Sequence, residues 1–91
     1  MTDVANNEAE GRYELRAEGG VAIAAYRMEE GAVAFTHTVV PPELEGRGIG
    51  TRLIAGALAD VRARGLKMVP HCAFVAAYAD RHPEVRDLLA A

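Results

Sequence analysis

The apolar residues of this chain change period at one short segment, Val40-Pro41-Pro42-Glu43-Leu44-Glu45-Gly46-Arg47-Gly48-Ile49-Gly50, and that change sets the order of the elements. Upstream, Tyr13, Leu15 and Ala17 alternate with Arg12, Glu14, Arg16 and Glu18, the period of two expected of a strand with one buried face. Gly19-Gly20 suits a tight hairpin, Val21 to Met28 a second strand, Glu29-Glu30-Gly31 a second turn, and Ala32 to Val40 a third strand stopped by two prolines. Downstream, Leu53, Ile54, Ala57, Leu58 and Val61 fall on one helical stripe, and Gly65 stands where a helix C-terminal glycine belongs. Leu66 to Cys72 is an apolar run of strand length, so residues 32–72 read as a strand, helix, strand unit with parallel strands. A right-handed crossover brings the C-terminal ends of both strands and the N-terminus of the helix to one sheet edge, with Cys72 near the glycine turn. Ala73 to Ala79 reads as a short helix, and Pro83 as the start of a last one reaching Leu89.

These elements define an α+β fold in which antiparallel strands precede a strand, helix, strand unit with splayed parallel strands. With 91 residues and 51% hydrophobic composition there is one small core, hence one domain over residues 11–91. Met1 to Glu10 has no apolar run or periodicity, so residues 1–10 are expected to form a flexible tail and neither a signal peptide nor a membrane span. A lone cysteine, Cys72, excludes an internal disulfide framework and fits a reducing, cytoplasmic setting; no His/Cys cluster has metal-ligand spacing.

The segment that changes the period also has the chemistry of an anion site. Gly46, Gly48 and Gly50 allow positive φ and close approach of the backbone to a ligand, and the helix starting near Gly50 turns its unpaired N–H groups toward it. Those donors and the positive end of the helix favour a phosphate or pyrophosphate. Net charge is −3, yet residues 46–67 hold Arg47, Arg52, Arg62, Arg64 and Lys67 against Asp60 alone. Residues 1–45 carry nine acids against Arg12, Arg16 and Arg27. The cations are therefore expected around the glycine turn, the alternative for Arg62 and Arg64 being the solvated face of the helix, and the acidic remainder disfavours nucleic acid. The glycines run G-x-G-x-G, not the G-x-G-x-x-G of a dinucleotide fold, and Gly50 precedes Thr51 where a P-loop needs lysine.

The stretch Glu45-Gly46-Arg47-Gly48-Ile49-Gly50-Thr51, followed by the helix, resembles the acetyl-coenzyme A pyrophosphate loop of the GNAT superfamily of N-acetyltransferases. Gly48 and Gly50 match that pattern; Glu45 stands where the family usually has Gln or Arg. His37-Thr38-Val39-Val40 and Pro70-His71-Cys72-Ala73-Phe74-Val75, with Tyr78, Arg81, His82 and Pro83, resemble the short single-domain branch. The resemblance covers roughly residues 11–89 and implies a coenzyme A site. The pyrophosphate would rest on the amides of Gly46, Arg47, Gly48, Ile49, Gly50 and Thr51, and the pantetheine arm would pair with the backbone of Val39 and Val40. The thioester would point toward Cys72.

Acyl transfer to an amine needs a base, donors for the oxyanion and an acid for the departing thiolate. Tyr78 resembles the tyrosine acid of larger family members, and His37 and Glu43 are candidate bases. Cys72, on the edge shared with a helix N-terminus, is a candidate nucleophile or a partner for a mixed disulfide with coenzyme A. The favoured reading is an acetyltransferase acting on an amine of a small molecule or protein, as a monomer or weak homodimer. The alternative is a coenzyme A-binding regulatory module without catalysis.

Overall fold

The computed structural model describes residues 3–90; Met1, Thr2 and Ala91 lie outside it. Five strands form one sheet in chain order: β1 (Val4–Asn7), β2 (Arg12–Ala17), β3 (Gly20–Glu29), β4 (Ala32–Val39) and β5 (Lys67–Pro70). The first four are antiparallel, and β5 runs parallel to β4. Helix α1 (Ile49–Ala63) makes the crossover between β4 and β5, and α2 (Ala73–Arg81) follows β5. The α+β class, the glycine hairpins and the parallel pair agree with the sequence pattern.

The core forms where the strand and helix stripes meet. Tyr13 and Leu15 of β2, Val33 and Phe35 of β4 and Met68 of β5 are buried together with Leu53, Ile54, Ala57, Leu58 and Val61 of α1. Gly65, at φ +69°, ends α1 in the left-handed conformation that a side chain would resist. Tyr13 also ties sheet to helix, its hydroxyl donating to the Asp60 carboxylate at 2.7 Å. Burial and the Asp60 contact push its ionisation well above the ordinary tyrosine range, so it stays a donor. Tyr13→Phe removes this bond and is expected to lower stability by about 1 kcal/mol. In a domain of this size that corresponds to a melting temperature lower by roughly 4–8 °C, read by a thermal melt.

Three expectations are corrected. Residues 4–7 of the expected tail are strand β1, paired with β2 from Val4 opposite Leu15 to Asn7 opposite Arg12. Its residues do not alternate in polarity, because side chains from other strands hold it. Tyr26 donates to Asn6 at 2.6 Å, and Asn7 donates to Glu14 at 3.0 Å. The last helix is instead a 3₁₀ turn over Pro83–Leu88. Finally, of the five basic residues of this stretch, Arg47 and Arg52 lie at the glycine turn and the other three do not. Arg62 and Arg64 lie at the far end of the 15-residue helix α1, roughly 20 Å away at 1.5 Å per residue. There Arg62 pairs with Asp87, while Arg64 pairs with Asp60 and Glu8. Lys67 donates to the Asp87 carbonyl.

Strand β4 contains a feature that period-2 reading missed. Ala25 pairs with His37 and Tyr26 with Phe35, so Thr36 is an extra residue, a β-bulge. The bulge re-phases the strand. Phe35 and Thr38 then share the face toward α1, while His37 and Val39 turn to the opposite face.

Candidate functional site

The parallel pair is short and then opens. Its register runs from Ala32 opposite Lys67 to Phe35 opposite Pro70, and β4 continues alone to Val39. Beyond Pro70 the Cys72 amide donates to the Phe35 carbonyl at 3.1 Å, and the chain turns away into α2. Thus, among the described residues, the edge of β4 facing β5 has no strand partner along residues 36–39, beside the N-terminus of α1.

An open groove of about 570 Å³ lies there. One wall is Thr38, Val39 and Val40; another is Leu44, Glu45, Gly46 and Gly48 of the loop with Ile49, Gly50 and Thr51 of α1; Phe74 of α2 contributes the third. Gly46 and Gly48 hold φ of +82° and +71°, and a Cβ at either would meet nothing within 4 Å. Gly48 is the N-cap residue of α1 and supplies no capping side chain; the bond to its carbonyl comes from the Arg52 amide at 3.0 Å. The amides of Ile49, Gly50 and Thr51 precede that first intrahelical bond, which leaves them to a ligand. Bare glycines, uncapped amides and an open groove fit a phosphate group linked to a chain that continues along β4.

Of the residues expected to hold the cofactor, Val39, Val40, Gly46, Gly48, Ile49, Gly50 and Thr51 line this groove, and Arg47 does not. Arg52, in the first turn of α1, is ion-paired with Asp3, the residue before β1. Glu45 is exposed and lines the groove, and no basic side chain is among the lining residues. Thr38, Leu44 and Phe74 are lining residues the sequence reading did not single out for this role.

The candidate catalytic residues are scattered. Cys72 is 8% exposed, at the N-cap of α2, with its sulfur 3.3 Å from the hydroxyl of Thr38, a groove residue. Burial pushes the thiol up, but the Thr38 hydroxyl and the Val75, Phe74 and Thr38 amides outweigh it, and the thiol titrates below its ordinary range. His37 is exposed on the outer sheet face because of the bulge, its Nδ1 3.2 Å from the Thr36 hydroxyl. Glu43 is exposed in the 3₁₀ turn Pro42–Leu44 and does not line the groove. Tyr78 lies outside it too. Helix α2 runs alongside α1, with Phe74 against Gly50, so one turn further on Tyr78 lines a separate groove with Ala55, Leu58 and Arg62. Burial and, secondarily, Glu84 raise its ionisation, and its ring stacks on His82 at a centroid distance of 3.8 Å. His71 is exposed. Among the described residues no group of three or more His, Cys, Asp and Glu side chains could hold a metal, and no helix is long and apolar enough to cross a membrane.

A mixed sheet ending in a splayed parallel pair, with a glycine turn at the crossover helix, is consistent with a GNAT-like fold. A family model described as GCN5-related N-acetyl-transferase matches residues 12–88, and the chain belongs to that family. No curated protein matches it.

Proposed function

We propose that this domain binds acetyl-coenzyme A in the groove and transfers the acetyl group to an amine. One observation supports the reading above the others: the uncapped amides of α1 and the unpartnered edge of β4 open onto the same groove. The amides of Ile49, Gly50 and Thr51 would hold the pyrophosphate, and the backbone of Val39 and Val40 would pair with the amides of the arm. When bound, the cofactor supplies an acetyl group activated as a thioester. Cys72 does not itself line the groove, but its sulfur contacts the hydroxyl of the lining residue Thr38, and its lowered thiol makes it a candidate nucleophile. His37 remains a candidate base, reached from the outer face of the sheet.

None of Cys72, Tyr78, Glu43 and His37 lines the groove, which favours a second reading, a module that binds coenzyme A without turnover. Incubation with acetyl-coenzyme A and a panel of amines and peptide N-termini separates the two. Release of free thiol that depends on an acceptor supports the transferase, and saturable binding without release supports the module. On the transferase reading, Tyr78→Phe is expected to leave turnover within about twofold, since Tyr78 lines the other groove. A loss of tenfold or more would return Tyr78 to the reaction. Because the cradle is mostly backbone, raising salt from about 0.05 to 0.5 M is expected to weaken coenzyme A binding by less than about tenfold. Calorimetry across that range measures this, and a steeper loss would assign the affinity to Arg47 and Arg52.

A further inference from the structure

We infer that Phe74 is the positioning residue for the linear arm of coenzyme A, a role that rests on the coenzyme A reading above. Among the described residues the exposed large hydrophobics are Met28, Val39, Phe74 and Leu89; the side chain of Val39 is turned to the outer face of the sheet, whereas Phe74, 38% exposed, lines the groove. Phe74 is the groove's sole contribution from α2. Its ring is pressed end-on against Gly50: a Cβ there would lie 2.6 Å from Cζ and 3.1 Å from Cε2. Gly50, unlike Gly46 and Gly48, has no positive φ. Its missing side chain therefore serves the approach of the ring and not a backbone conformation, at a helix position where alanine is the better helix former. The ring thus stands beside the cradle amides, two residues after Cys72 on the same helical turn. A phosphate gains nothing from a phenyl wall, whereas a chain of methylenes and amides leaving the cradle does.

Calorimetric titration of wild type, Phe74→Ala and Phe74→Leu with coenzyme A, and with adenosine 3′,5′-bisphosphate, tests this. The second ligand has phosphates but no arm. Phe74→Ala is expected to weaken coenzyme A about tenfold and the bisphosphate by less than about twofold, with Phe74→Leu recovering most of the loss. Melting temperatures close to wild type are expected, since the ring is partly exposed. Unchanged coenzyme A affinity in Phe74→Ala, or equal losses for both ligands, overturns the inference while leaving coenzyme A binding in place. If wild type binds neither ligand, the coenzyme A reading itself fails and the role of Phe74 falls with it.

Discussion

Gly48→Val is expected to lower coenzyme A affinity by at least about a hundredfold. Gly48 holds φ +71° at the N-cap of α1, a conformation that costs a β-branched residue roughly 1–3 kcal/mol. The valine either stays there, with its methyls in the open space a ligand phosphate would fill, or it relaxes and turns the first amides of α1 away. Both outcomes remove the cradle. Nothing lies within 4 Å of the added Cβ, so packing is not disturbed and the protein is expected to fold with only the strain as a penalty. Calorimetry on the folded variant decides the matter. Retained affinity would mean that the phosphate site is not at this turn.

Cys72→Ala is expected to abolish two adducts of the wild-type protein seen by intact-mass measurement. One is an acetyl group acquired from acetyl-coenzyme A; the other is a mixed disulfide formed with coenzyme A disulfide. In the first, the Cys72 thiolate bonds to the acetyl carbon and coenzyme A leaves as its thiolate; in the second, thiolate attack on the disulfide releases one coenzyme A thiolate and needs no other oxidant. The pH dependence follows from the lowered thiol. The reactive thiolate accumulates as pH rises through the folded-state value, so adduct formation with coenzyme A disulfide should reach its half-maximal rate at a lower pH than free cysteine does. Wild type without either adduct, together with full transferase activity in Cys72→Ala, would reduce Cys72 to a packing residue beside Thr38 and send the acetyl group directly from cofactor to acceptor.

The strands, the crossover helix and the glycine cradle were legible because each leaves a local mark. Alternation at Tyr13, Leu15 and Ala17, the stripe from Leu53 to Val61, and glycines at Gly46 and Gly48 need only their neighbours in the chain to be interpreted. Strand β1 left no such mark, because Asn6 and Asn7 are held by the side chains of Tyr26 on β3 and Glu14 on β2, contacts that form only once the sheet is assembled. The bulge at Thr36 was equally hidden: it is a property of the register between β3 and β4, and it alone sends His37 to the face away from α1. Arg62 and Arg64 counted toward the cradle while the chain was a line, and a helix of 15 residues carries them to its other end. Tyr78 and Phe74 differ by one turn of α2, yet the packing of α2 along α1 assigns one to each groove. Backbone conformation is decided within a few residues, so the chain's own order specifies the cradle. Which side chains face that cradle depends on how separate elements pack, and only the tertiary structure decides it.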